Sequence, residues 1–343
     1  MSGQPAARGL RLGGRALGVT LGLTLDRLLG EPPDAWHPVA WFGTTMGRVE
    51  RCLYADARLP GAAYALVGVG VGAGAGWALD RLGRRLPGHG TAAVATAVGL
   101  ACAGRMLRET SARIEDRLGA GDLDGARELL PWLVGRDPSA LDAGGVSAAV
   151  VESLAENTVD AVVAPVFWGL VAGAPGVLAH RAVNTMDAMV GHRSTRYARF
   201  GTAAARLDDA MAWAPARVFA ALVAVLAVAP PRAGRDVLAT VRRDAPAHPS
   251  PNSGVAESAA AAALGVELGG PLRYGDRVEN RPRLGDGPRP DHSTIRAARR
   301  LVDRVEITAA ALCVVLAAVV AGHTSRTRPQ SPYEESPYEE SPR

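Results

Sequence analysis

Apolar runs alternate with long charged stretches along this chain. Residues 16–29, 62–79, 91–104, 161–179, 214–230 and 305–322 are dominated by Ala, Gly, Val and Leu. A bilayer crossing takes roughly 20 apolar residues, so the longer runs read as membrane helices, and a short run such as 91–104 can also be a buried core helix. The pattern predicts an all-α, polytopic integral membrane protein with five or six membrane helices and sizeable polar helical loops. The first run carries Asp26 and Arg27 and is followed by Glu31-Pro32-Pro33 rather than a small-residue cleavage site. It therefore reads as an uncleaved helix that enters or skirts the membrane. Pro165 and Pro175 predict kinks in the run 161–179.

The polar segments 31–60, 105–158, 180–212 and 232–304 are long enough to fold against one another. From Arg105 to Leu133 the apolar positions have helical spacing, and Gly119-Ala120-Gly121 breaks that stretch into a helical pair. Segment 271–292, rich in Pro, Gly and Arg, predicts a loop. The Gly-rich stretch 68–76 lies inside an apolar run and suits close helix packing rather than a nucleotide loop. The end repeats SPYEE twice. Its polarity and prolines predict a disordered tail at 326–343 after one membrane-embedded domain at 1–325. Arg is richest in 232–304, which by the positive-inside rule favours a cytoplasmic face for that segment.

Composition narrows the chemistry. The chain of 343 residues has 38 basic residues, and all of them are Arg. Without Lys there is neither a Walker A nucleotide loop nor a lysine Schiff base. Phosphate must be held by Arg, backbone N–H groups or a metal. The net charge of +4 is small and its arginines are scattered among acids. With no basic stripe and interleaved aromatics, nucleic acid is not an expected partner. Cys52, Cys102 and Cys313 lie far apart and form neither a CxxC pair nor a disulfide framework.

Five polar clusters can carry chemistry. In residues 150–165, Glu152, Glu156 and Asp160 are spaced i, i+4, i+8, with Asn157 beside them. On a helix they share a face. They form either a metal–phosphate or acid–base site, or a solvated face paired with loop arginines. Asn184 and Asp187 are i, i+3 neighbours in the second cluster, where Asn184 can equally serve a cap or turn. Arg206, Asp208 and Asp209 form the third; paired aspartates can share Mg²⁺ or mark a helix end. In the fourth, Ser250, Asn252 and Ser253 open a helix that also carries Glu257, which makes an anion site or an ordinary cap. His248 precedes that turn as a turn-packing residue or an acid–base group. The fifth holds Asp26, Glu31 and His37-Pro38. Gly135-Arg136-Asp137 marks a turn.

Taken together, these pieces resemble the cobalamin-biosynthesis CobD/CbiB family, the adenosylcobinamide-phosphate synthases. The matching stretches are D26-R-L-L-G-E-P, H37-P-V, G135-R-D-P-S, V151-E-S-L-A-E-N-T-V-D-A-V-V-A-P, A182-V-N-T-M-D-A-M-V-G, Y197-A-R-F-G, A203-A-A-R-L-D-D, P215-A-R and H248-P-S-P-N-S-G. They run in the family's order over roughly residues 16–320, and the ESLAENTVDAVVAP stretch is the most specific. The resemblance implies a membrane enzyme of late corrinoid assembly. It implies an ATP-dependent amide bond between a propionate of adenosylcobyric acid and the amine of (R)-1-amino-2-propanol O-phosphate or a related aminoalcohol phosphate. The product would be adenosylcobinamide phosphate, with Mg²⁺ entering alongside ATP.

Beside that chemistry, the expected catalytic residues are Glu152, Glu156, Asp160 and His37. Arg136, Asn157, Asn184, Arg193, Arg206, Ser250, Asn252 and Ser253 are expected to bind substrate or phosphate. Asp187, Asp208 and Asp209 are expected to hold metal. The expected partners are the corrinoid, the aminoalcohol phosphate and the lipid bilayer, with room for a homo-oligomer or association with other late cobalamin enzymes. The expected location is the cell (inner or plasma) membrane, multi-pass, with the active site facing the cytoplasm. The rival readings are a non-catalytic membrane scaffold or sensor relative and a transporter, the latter weakened because the halves show no inverted repeat.

Overall fold

The structure is a computed structural model. It describes residues 3–82, 88–135, 137–192, 194–227, 233–274 and 277–326. Among the described residues are twelve α-helices: α1 Gly3–Leu29, α2 Pro38–Leu53, α3 Arg58–Leu82, α4 His89–Ala101, α5 Gly104–Gly119, α6 Leu123–Leu129, α7 Ala143–Thr158, α8 Ala164–Met186, α9 Thr202–Leu226, α10 Ala233–Asp244, α11 Ser253–Leu264 and α12 His292–Arg326. The expected tail at 326–343 lies outside the described residues after Arg326.

Five segments are long and apolar enough to cross a membrane: Arg58–Leu82, Gly90–Gly119, Ala143–Gly191, Thr202–Leu226 and His292–His323. The protein is an all-α, multi-pass membrane protein, and these five coincide with the five later apolar runs. α1 is not one of them. It packs along α4 and α12 and turns Leu17, Leu21, Leu25 and Leu28 outward. A stripe at i, i+4, i+8 on an outer helix is what lipid contact requires, since lipid-facing side chains need not be buried in protein.

The glycine-rich stretch packs as its composition suggests. A Cβ on Gly72 would lie 2.5 Å from the Leu178 carbonyl oxygen, and one on Gly76 would lie 2.5 Å from that of Ala174. A Cβ on Gly68 would run into Met186, whereas Gly70 and Gly74 meet nothing. The i, i+4 stripe of Gly68, Gly72 and Gly76 thus lets α3 lie directly against α8.

α8 breaks at Gly173, whose φ of 68° and ψ of −157° are open to glycine alone. Pro175 follows, as the kink expectation required. The break frees carbonyls, and in an apolar environment these need donors. Arg15 of α1 supplies them, donating from one guanidinium nitrogen to the carbonyls of Leu170 (3.2 Å) and Val171 (2.8 Å).

The polar segments 105–158 and 232–304 share a core. Leu107 and Ile114 of α5, Leu130, Val150 and Leu154 of α7, and Ile295 of α12 are buried together there. The helical pair from Arg105 to Leu133 exists as α5 and α6, separated at Ala120-Gly121.

One expectation fails. Segment 271–292 is not wholly loop: β1 (Leu268–Tyr274) and β2 (Arg277–Leu284) form an antiparallel hairpin, with Leu268 opposite Leu284 and Tyr274 opposite Arg277. Pro271 and Pro282 read as breakers, but a two-stranded ribbon has only edge strands, where a residue without an N–H is tolerated. The hairpin also carries a bulge at Leu268–Gly270. There Gly269 has a φ of 76° and lies so close to the Pro282 carbonyl that a side chain would collide with it.

Gly72→Ala and Gly74→Ala test the helix contact. The first is expected to lower stability by about 1–3 kcal/mol through overpacking. The second should raise it by up to about 1 kcal/mol by removing glycine's backbone entropy. Melting temperatures in one detergent give both, and the same sign for the two variants would contradict the close approach.

Candidate active site

α7 ends in a π turn at Val159–Val163, and α8 ends in a second π turn at Asp187–Gly191. Such single wide turns re-aim side chains within an otherwise regular helix. Each carries one carboxylate, Asp160 in the first and Asp187 in the second. A side chain at Gly191 would collide with the Asp187 carboxylate, which lies across it. α9 adds Asp208 and Asp209 from its second turn. α11 starts at Ser253, so its N-terminus opens at the same place.

These elements enclose a cavity of about 660 Å³ lined by Glu156, Asn157, Asp160, Asn184, Asp187, His192, Asp208, Asp209, Ser250 and Ser253, among others. Four sequence clusters, lying up to about a hundred residues apart, therefore form one site.

The polar lining is cross-linked. Asn184 Nδ2 donates to Asp160 Oδ2 (3.1 Å) and Asp208 Oδ1 (3.4 Å), which ties α8 to the π turn of α7 and to α9. Arg181 donates to Asn184 Oδ1 at 3.5 Å. Asn157 donates back to Ser153, at 2.8 Å to its hydroxyl. Ser250 Oγ donates to Asp209 Oδ1 at 3.5 Å and accepts from the backbone N–H groups of Asn252 and Ser253, both at 3.3 Å.

Five described carboxylates face this cavity, while no described arginine lines it. Like charges at such range raise one another's energy unless a cation or proton intervenes. Among the described residues no three His, Cys, Asp or Glu side chains are placed to hold a metal by themselves. Mg²⁺ commonly takes one or two carboxylates and completes its shell with phosphate oxygens and water.

Not every expected residue joins the cavity. Glu152 is 5% exposed and accepts the N–H of Gly269 at 2.8 Å, so it anchors the hairpin. An i, i+4 stripe drifts about 40° per step at 3.6 residues per turn. That drift separates Glu152 from Glu156, and the π turn re-aims Asp160. His37 caps α2, accepting from the N–H of Val39 at 3.2 Å, with Nε2 3.9 Å from Glu31. Arg206 is exposed on α9 outside the lining. Asn252 lies behind the cavity, accepting from Arg217 (2.8 Å) and donating to the Asp209 carbonyl (2.8 Å). Arg136 and Arg193 lie outside the described residues.

Two groups were missed. His192 lines the cavity, with its ring edge-on to Tyr197 at 5.0 Å; its only signal was its position after the Met-rich turn. Glu257, read as part of a helix start, is 2% exposed and lies close to Glu156 and Glu152. Burial, with Glu156 and Glu152 nearby, pushes the Glu257 carboxyl well above its ordinary value. His248 Nε2 lies 3.7 Å from Glu257 Oε1.

The model of the family described as CobD/Cbib protein matches residues 19–302. The chain belongs to the CobD/CbiB family. Every residue of the acidic cavity falls inside that range, so the cavity is part of what the CobD/CbiB match spans. A Cobalamin biosynthesis protein CobD of Mycobacterium tuberculosis is 46% identical over 303 residues, covering 88% of this chain and 96% of the relative. Proteins of the same name from Chromobacterium violaceum (41% over 314 residues, 89% of this chain and 97% of the relative) and Rhodobacter capsulatus (39% over 300 residues, 82% and 90%) are similar. No solved structure matches the chain.

The crowding of acids has a measurable cost. Asp208→Asn removes one negative charge and keeps a group able to meet Asn184. It is expected to raise the stability of the ligand-free protein by about 1 kcal/mol. Thermal unfolding in chelator-treated buffer measures this, and a lower melting temperature would show that the carboxylates are not in mutual repulsion.

Proposed function

We propose that this protein acts in cobalamin biosynthesis as an ATP-dependent ligase, joining a propionate of adenosylcobyric acid to (R)-1-amino-2-propanol O-phosphate or a related aminoalcohol phosphate. The observation that carries the reading is the convergence of five carboxylates on one cavity in a member of the CobD/CbiB family. A scaffold or sensor has no use for such a costly concentration of charge.

The chemistry that fits is stepwise. A carboxylate carbon is a poor electrophile. Transfer of the γ-phosphoryl group of ATP to the propionate oxygen gives an acyl phosphate and releases ADP. The amine, after losing a proton from its ammonium form, attacks the acyl carbon. Collapse of the tetrahedral adduct expels inorganic phosphate and leaves the amide.

The residues of the cavity divide this work. Asp187 and Asp208 suit the Mg²⁺ that accompanies ATP, with Asp209 beside them. The N-terminus of α11, with Ser253 and the Ser250 turn, offers N–H and hydroxyl donors to phosphate. Glu156 and Asp160, beside Asn157 and Asn184, stand where an ammonium would be drawn in and deprotonated. A cavity of about 660 Å³ is in the size range of small-ligand sites. A corrinoid would therefore reach in by its propionate arm with its macrocycle outside. ATP supply and the arginine-rich segment 232–304 favour a cytoplasmic opening at the cell membrane.

Detergent-purified protein given adenosylcobyric acid, aminopropanol phosphate and Mg·ATP should yield a corrinoid heavier by the amine donor minus water, detected by chromatography with mass spectrometry. The gain should vanish without ATP or with a chelator. Glu156→Gln should cut turnover by on the order of 10²–10⁴-fold while the protein stays folded. Wild-type turnover in that variant would remove Glu156 from the mechanism, and no product from folded protein with any of the aminoalcohol phosphates would overturn the ligase reading.

A further inference from the structure

Away from the acidic cavity, the leucine row that α1 turns to lipid runs to the very end of the helix. Leu17, Leu21 and Leu25 are exposed at i, i+4 and i+8, and Leu29, exposed at i+12, is the last residue of α1. At 1.5 Å per residue the row is roughly 18 Å long, close to one leaflet of a ~30 Å hydrocarbon core. Leu29 also lines a pocket of about 350 Å³ whose polar walls are Glu31, Arg105, Glu109, Thr110 and Arg113. Trp132 stands beside them, 71% exposed.

The pocket forms where α1 docks on α5. Gly30, with a φ of 70°, turns the chain out of α1. The Arg105 guanidinium donates at 2.7 Å to the Leu28 carbonyl, one of those a helix end leaves unpaired. The Arg105 backbone N–H donates to Asp26 Oδ2 at 3.1 Å. Arg105, Glu109 and Arg113 form an i, i+4, i+8 row on α5, and Arg105 Nε donates to Glu109 Oε1 at 2.7 Å. Arg113 is exposed and makes no ion pair among the described residues. Glu31 has His37 Nε2 at 3.9 Å, beyond hydrogen-bond range. The pocket therefore offers a cation and a carboxylate, each with hydrogen-bonding capacity to spare.

We propose that this pocket binds the headgroup of one phospholipid of the ethanolamine type, with an acyl chain laid along the leucine row of α1. The phosphate takes the Arg113 guanidinium and the Thr110 hydroxyl, and the ammonium takes Glu31 and the second oxygen of Glu109. Trp132 meets the level of the glycerol esters, where tryptophan is favoured at a membrane interface. Two arginines and two glutamates line the pocket, a balance that matches a zwitterion. A phosphatidylglycerol would bring an anion to Glu31 and Glu109 with no ammonium to offset it, and a choline headgroup has no N–H to give them. The lipid ties α1 to α5 from outside, at the seam between the apolar helices and the polar segments. The site does not depend on the ligase reading. A free aminoalcohol phosphate carries the same two charges, and the acyl chain is what separates the lipid from it.

Native mass spectrometry of the full chain, delipidated in detergent and titrated with dioleoyl phosphatidylethanolamine, phosphatidylglycerol or phosphatidylcholine, tests this. One phosphatidylethanolamine should be retained, about tenfold more tightly than either of the others. Arg113→Gln should cost about tenfold in that affinity, while Arg113→Lys, which keeps a charge for the phosphate, should stay within about threefold of wild type. Arg58→Gln, exposed at the start of α3, should bind as wild type does. Glu31→Gln should narrow the preference for phosphatidylethanolamine over phosphatidylglycerol. Equal retention of the three lipids, or an Arg113→Gln variant with wild-type affinity, would overturn the proposal. Displacement of the lipid by free O-phosphoethanolamine at an equal concentration would assign the pocket to a soluble ligand and overturn it as well.

Discussion

Carboxylates crowded into one cavity repel one another, and much of the architecture around this cavity resists that repulsion. Two unit charges 4 Å apart interact by about 4 kcal/mol at an effective dielectric constant of 20, and by more as water is excluded. The Asn184 amide sits between Asp160 and Asp208. The Ser250 hydroxyl meets Asp209. These are local remedies, and five carboxylates still share the one cavity.

Holding such a site open requires a stiff frame. The close approach of α3 to α8 through Gly68, Gly72 and Gly76, and the core that joins α7, α9, α11 and α12 around Phe219, Val255 and Val305, supply it. The two π turns put their carboxylates at the ends of otherwise rigid helices. On the proposed reading, a cation that arrives with phosphate would relieve the repulsion and take up the hydroxyl and N–H donors at once.

Much of this could be read in the sequence. The apolar runs mark the five spans, and GVGVGAGAG marks a packing face, because hydropathy and small size are local properties. The acids around 156–160, 184–187 and 208–209, with the 250–253 turn, stand out as clusters because charge beside apolar sequence is expensive. That they converge could not be read, since convergence depends on how α7, α8, α9 and α11 pack. Glu152 and Glu156 look equivalent by spacing; helical drift and the Gly269 N–H send the first to the hairpin. His37 looks like an acid–base group but is committed to a helix cap. The hairpin was hidden by its prolines, which edge strands tolerate. Glu257 was hidden because its burial comes from the hairpin and the 248–253 turn closing over an alanine-rich helix.

The central claim is that the acidic cavity gathers a divalent cation together with a nucleotide phosphate. Electron paramagnetic resonance of Mn²⁺ tests it directly, because bound Mn²⁺ loses the sharp signal of the free ion. Titration of the detergent-solubilised chain should show weak Mn²⁺ binding alone and strong binding with a non-hydrolysable ATP analogue, and Asp187→Asn or Asp208→Asn should abolish the enhancement. Mn²⁺ binding that ignores the nucleotide, or that survives both substitutions, would contradict it.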